Sequence, residues 1–78
     1  MTKNQPVQKF RFYDVTATVW ENQGENGTFY TVTTERTFRD KDGAFKSTHS
    51  YSGSQLVALI HVADLAHRYI GQRTAGDA

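Results

Sequence analysis

The chain reads as an α+β domain: a curved antiparallel sheet of three to four strands, then one C-terminal helix packed on one face. Three observations predict it. Residues 10–39 alternate apolar and polar with period two, as half-buried strands do. Two acidic or amide turns ending in glycine, "NQGENG" and "DKDG", interrupt that alternation. After Tyr51 the period changes, and "SGSQLVALIHVADLAHRYIG" carries apolar residues at helical spacing.

The elements follow in order. Residues 1–8 are polar, hold the one proline and have no period, so a flexible N-terminal tail is expected there. In "KFRFYDVTATVW" the alternation slips: Phe10 and Phe12 are even positions, whereas Val15, Ala17 and Val19 are odd. One straight strand cannot put both sets on one face. A bulge or bend near Tyr13 and Asp14, or two strands meeting there, resolves the conflict. Asn26-Gly27 suits the positive φ of a tight hairpin turn. The next strand, "TFYTVTTERTFR", sets Tyr30, Val32, Thr34, Arg36 and Phe38 against Phe29, Thr31, Thr33, Glu35 and Thr37. Asp42-Gly43 marks the second turn, and "AFKSTHSY" returns with Phe45, Ser47, His49 and Tyr51 in phase. Ser52 or Ser54 can cap the helix with its hydroxyl, and Gly71 can end it in a left-handed conformation. The expected domain is residues 9–71, with residues 72–78 a second flexible tail.

Seventy-eight residues make one domain. A chain this short leaves much of its surface outside the core, and small domains compensate with disulfides, metals or a partner subunit. There is no cysteine, so disulfides and thiolate metal sites are excluded. Nine lysines and arginines against eight acids leave a net charge of +1, far from the strong excess of a protein that holds nucleic acid by bulk charge. No apolar run approaches the ~20 residues of a membrane span, and "MTKNQPVQKF" lacks the apolar core of a secretory signal. A cytoplasmic protein is expected.

The helix is apolar on two sides. Leu56, Leu59, Ile60, Ala63, Ala66 and Ile70 form one stripe at about 100° per residue, which suits the sheet. Ala58, Val62, Leu65 and Tyr69 form another, and a helix apolar nearly all round calls for burial nearly all round. The second stripe is therefore the expected homodimer interface. On the sheet, Thr16, Thr18 and Trp20 share a face, as do Phe29, Thr31 and Thr33. Strand residues Lys9, Arg11, Arg36, Arg39 and Lys46 add cations. Flat rings among flexible cations are what a single-stranded nucleic acid needs, because bases stack on rings while cations follow phosphates. Such residues are also ordinary strand formers.

No catalytic set stands out, and an enzyme is not expected. "GENG" lacks the spacing and lysine of a phosphate-binding loop. Asp40, Asp42 and Gly43 resemble the start of a calcium loop, but Tyr51 occupies the position where its last glutamate belongs. His61, Asp64 and His67 are three apart rather than the four of a helical zinc pair. No cofactor, metal or small-molecule substrate is expected.

"VTTERTFRDKDGAFK" resembles the β-ribbon of the transcriptional positive-cofactor-four family of single-stranded-DNA-binding coactivators. Glu35, Arg36 and Phe38 stand for its charged pair and aromatic, Asp40 to Gly43 for its turn, and Lys46 for the lysine of its return strand. The Arg and Glu are in swapped order here, and "STHSYSGSQL" replaces the family's lead into the helix. The whole chain is similar to small bacterial proteins carrying "ATVWEN", "GENG" and "YTV". The resemblance implies a dimer, assembled partly through the helix, that holds single-stranded DNA on its sheet, and a role in transcription regulation. Arg11, Trp20, Phe29, Arg36, Arg39 and Lys46 are the expected contacts. The alternative from another class is a homo-oligomeric protein-interaction module with no nucleic-acid role.

Overall fold

The computed structural model describes residues 3–75. Four strands, β1 (Lys3–Phe12), β2 (Val15–Gly24), β3 (Gly27–Arg39) and β4 (Phe45–Thr48), form one antiparallel sheet in the order β1-β2-β3-β4. The helix α1 (Gly53–Ala75) lies along one face, over β2 and β1 and to a lesser extent β3. No helix among the described residues is long and apolar enough to cross a membrane.

The parity slip is a two-residue hairpin turn. Tyr13 and Asp14 link strands in which Phe12 pairs with Val15 and Phe10 with Ala17, so the even and odd sets reach the same face. Tyr13 takes φ 56°, a left-handed conformation that costs a non-glycine residue about 1 kcal/mol. Its ring packs edge-on against Phe12, centroids 4.5 Å apart.

The N-terminal strand extends further than expected. Residues 3–8 belong to β1 rather than to a tail, while residues 1 and 2 lie outside the described part. Pro6 is tolerated because β1 is an edge strand, where a missing N–H breaks no ladder on the outer side. A register shift between Pro6 and Gln8 marks a bulge at Val7, whose side chain packs against the core. At the other end Gly71 does not stop the helix, which continues to Ala75; of the expected C-terminal tail, residues 76–78 lie outside the described part. Ser52 precedes the helix, and its backbone N–H donates to the Gln55 side chain at 2.8 Å, one half of a capping box.

The core is small and made of small side chains: Val15, Ala17 and Val19 of β2 meet Ala58, Val62 and Ala66 of α1. The expected helix faces are thereby rotated: of the stripe expected on the sheet, Ala66 is buried and Leu59 and Ile70 pack against the core, whereas Leu56, Ile60 and Ala63 turn outward. Ala58 and Val62 belong to the sheet-facing side, with Leu65 and Tyr69 half-buried beside them. Leu56 and Ile60, expected on the sheet, are 44% and 67% exposed. The physical reason is fit. Ala58, Val62 and Ala66 recur at i, i+4 and i+8, and their short side chains let the helix approach a sheet face that Ala17 leaves low.

Charges anchor both ends of the helix layer. Arg36 reaches Asp14 at 3.7 Å and donates to the Ser50 carbonyl at 3.2 Å. Arg73 donates to the Tyr30 hydroxyl at 3.2 Å, lies over the Tyr69 ring and approaches Glu21 at 4.0 Å; the hydrogen bond to Tyr30 first, and then the polar surroundings, raise its pKa.

The β3–β4 turn is held by one carboxylate. Asp40 accepts from the Asp42 and Ala44 backbone N–H groups at 2.9 and 3.0 Å, and Lys46 sits 3.4 Å away. Gly43 takes φ 83° there, a conformation that favours glycine.

Val62→Ala should cost about 2 kcal/mol and Ala66→Leu about 1–3 kcal/mol in urea unfolding, whereas Ala63→Leu, on the exposed side, should stay within about 0.5 kcal/mol. The backbone N–H of Ala44 chiefly, aided by Asp42, Lys46 and Gly43, holds the Asp40 carboxyl below its ordinary range. A lowered folded-state pKa stabilises above the unfolded value and is lost as pH falls through the folded one. Asp40→Ala should therefore lower the thermal midpoint at pH 7 and make it fall less steeply as pH drops below about 4.

Candidate nucleic-acid interface

Among the described residues nothing covers the face of the sheet away from α1. Strand register sets its composition, because directly paired residues share a face. Four rows cross β1, β2 and β3: Arg11–Thr16–Glu35, Lys9–Thr18–Thr33, Pro6–Trp20–Thr31 and Asn4–Asn22–Phe29. Arg39 and Phe45, paired between β3 and β4, continue the same face. The expected sharing of a face by Thr16, Thr18 and Trp20, and by Phe29, Thr31 and Thr33, is what the register produces.

The rings on this face are seated differently. Trp20 is half-buried, and its indole N–H donates to Thr33 Oγ1 at 2.8 Å, which lays the ring across β3. Phe29 is 48% exposed near the β2–β3 turn, and its ring passes so close to Gly24 that a Cβ there would stand 3.1 Å from it. Phe45 is 69% exposed, with the Arg39 guanidinium 4.6 Å from its ring centroid. From Phe29 to Arg39 is ten residues along β3, about 33 Å at ~3.3 Å per residue. Below Trp20 and Phe29, Asn22 is buried; its amide donates to Thr31 Oγ1 at 3.1 Å and to the Trp20 and Phe29 carbonyls at 3.4 Å each.

The six expected contact residues do not converge. Arg11, Trp20, Phe29 and Arg39 lie on the open face. Arg36 pairs with Val15 and is therefore on the helix side, engaged with Asp14. Lys46 pairs with Phe38, also on the helix side, and is engaged with Asp40. Both are thus removed from the face that carries Trp20. Lys9, not among the six, takes a place beside Trp20. Among the described residues neither Lys9 nor Arg39 has a carboxylate within 4 Å. Arg11 donates to the Tyr13 carbonyl at 3.0 Å.

Next to Trp20 the open face dips into a hollow of about 280 Å³. Trp20, Lys9, Thr33, Glu35 and His49 are among the residues lining it. His49 follows β4, and its Nδ1 lies 2.8 Å from the Thr34 carbonyl oxygen. Sequence reasoning placed Glu35 beside Thr33 by parity but assigned it no role in the hollow. It had no means of bringing Lys9, Glu35 and His49 together, since they come from β1, β3 and the segment after β4. The two helix histidines stand apart from this face, and the ring of His61 packs against Phe12 with centroids 4.7 Å apart.

Comparison of the chain with described protein families, with curated proteins and with solved structures finds no match.

Thr33→Val keeps the strand shape and removes the acceptor that fixes the Trp20 ring. We expect a loss of about 1 kcal/mol in stability. Trp20 emission should shift to the red and become more accessible to acrylamide. An unchanged spectrum would show that the bond does not set the ring.

Proposed function

We propose that this is a small protein that binds single-stranded nucleic acid, DNA in the first instance, on the open face of its sheet. One observation carries the reading: Phe29, Trp20 and Phe45 are spaced along an uncovered, threonine-rich face that also holds Lys9, Arg11 and Arg39. Exposed rings supply stacking at about 1–3 kcal/mol per base, and the cations supply phosphate contacts. The balanced total charge is compatible with this, because four carboxylates are paired away from this face, which carries one strand carboxylate, Glu35, among three cations. Asp14 engages Arg36, Asp40 engages Lys46, Asp64 engages Arg68 and Glu21 faces Arg73. The order of four strands and then one helix accords with the resemblance to the positive-cofactor-four family, in which transcription regulation is the biological setting.

A homodimer is part of this proposal, through a different helix surface from the one first expected. Leu56, Val57 and Ile60 are 44%, 65% and 67% exposed, with Phe12 36% exposed at the neighbouring turn. That clustering also favours the second reading, a protein-interaction module, in which this apolar surface rather than the sheet is the working part.

Titrating the folded protein with a single-stranded oligonucleotide decides between them. The single-strand reading expects saturable quenching of Trp20, weakening as salt rises by counterion release. Read by anisotropy of a labelled strand, since Trp20 is the one tryptophan, Trp20→Ala and Arg39→Ala should each weaken binding, about tenfold for the ring, with the thermal midpoint little changed for Arg39→Ala. Quenching that is absent at micromolar strand, or independent of salt, would move the function to the helix surface.

A further inference from the structure

We propose that the hollow beside Trp20 is a base-reading subsite that selects guanine from a single strand. The inference rests on the single-strand reading above and adds a preference to it. At about 280 Å³ the hollow is at the small end of ligand sites, the scale of one base rather than several.

Its polar groups divide into two kinds. The Thr34 carbonyl can only accept, so the proton lies on His49 Nδ1, and in the neutral ring Nε2 is left as an acceptor. The Glu35 carboxylate is an acceptor only. Both line the hollow, together with Lys9, which only donates. Trp20 contributes a ring face, since its N–H is already given to Thr33.

A matching base must present adjacent donors to Glu35 and His49 and an acceptor to Lys9. Guanine has N1–H beside its N2 amino group, with O6 and N7 as acceptors on the adjoining edge. Adenine and cytosine set a ring acceptor beside their amino group. Thymine and uracil set carbonyls on both sides of one N–H. In each of these a carboxylate oxygen meets a lone pair, and a site built to take donors rejects a base that lacks them.

Glu35 itself argues for a base edge. On the strand residues of this face it is the one carboxylate among three cations, Lys9, Arg11 and Arg39. It repels a phosphate chain. Its presence beside the most sheltered ring is consistent with contact to a base.

The test uses thymine 12-mers carrying one central guanine, adenine, cytosine or hypoxanthine, with Trp20 fluorescence as readout. The guanine strand should bind about tenfold tighter than all-thymine, the discrimination one well-made two-bond base contact supplies. Hypoxanthine, which lacks the N2 amino group, should fall between them. Glu35→Ala should bring the guanine strand to the thymine level, with thymine affinity unchanged or raised. Glu35→Gln, which offers one acceptor and one donor, should also lose the preference and serves if the alanine variant is unstable. Salt-sensitive binding of all strands with equal affinity would overturn the guanine subsite and leave the single-strand reading standing. A guanine preference that survives in both variants would overturn the role of Glu35. Absence of binding to every strand would remove both.

Discussion

The contact between the inner face of β2 and the small-residue stripe of α1 decides the rest of this molecule. Val15, Ala17 and Val19 are fully buried against Ala58, Val62 and Ala66. Side chains on a strand alternate, so burying the odd residues of β2 turns Thr16, Thr18, Trp20 and Asn22 outward. Register then carries that choice to both neighbours: Lys9 and Arg11 of β1, and Phe29, Thr31, Thr33 and Glu35 of β3, take the open side because of which β2 residues they oppose. A one-residue slip would bury Trp20 under the helix and expose the valines. The bulge at Val7 confines its own register shift to the end of β1, beyond Gln8, Phe10 and Phe12, which keep phase with the core.

The same sorting separates charges that look alike in the chain. Arg36 and Lys46 fall on the helix side and are neutralised by Asp14 and Asp40. Lys9, Arg11 and Arg39 fall on the open side, against one strand carboxylate, Glu35. A net charge of +1 thus conceals two faces of different character. The shape reinforces the contrast. The radius of gyration, 14.7 Å, exceeds the roughly 11.5 Å of a compact chain this long, and the molecule is 47 Å long but 15 Å thick. One helix cannot cover both sides of such a sheet, so a large area of threonine and aromatic surface remains for a partner.

Much of the fold was legible in the sequence, and the exceptions have identifiable causes. The alternation of β3, the turn at Gly43 and the start of α1 after Ser52 are local signals that tertiary packing did not override, although the cap bond runs from the Ser52 N–H to Gln55 and not to a serine hydroxyl. The sheet-facing side of α1 was not legible because the two stripes are similar in hydrophobicity. The buried face draws on both, Ala58 and Val62 from one and Ala66 from the other, because their small size fits the sheet, and size matters only once the opposing surface is known. The start of β1 was hidden because "KNQPVQ" has the composition of a tail, and an edge strand with one side unpaired accepts such residues. Trp20 and Phe29 were readable by parity with the threonines beside them, whereas the faces of Arg11 and Arg39 follow from strand register. The grouping of Lys9, Glu35 and His49 depends on pairing across three separate segments, which no local pattern encodes.

A sheet can meet a partner by its face or by its edges, and here the edges are poorly suited. β4 spans four residues, and a short edge strand offers few free backbone groups. β1 is longer, but Pro6 lacks an N–H, the bulge at Val7 interrupts the ladder, and Lys9 and Arg11 place charge along the strand. These are the devices by which sheet proteins resist strand addition. Once the edges are blunted and the inner face is filled by α1, the outer face is the part of the sheet still able to make an extended contact. Trp20 is the ring on that face whose polar atom is already satisfied internally. It presents a flat apolar surface without requiring the ligand to replace a hydrogen bond from water, so a stacked group would meet a ring already oriented for it.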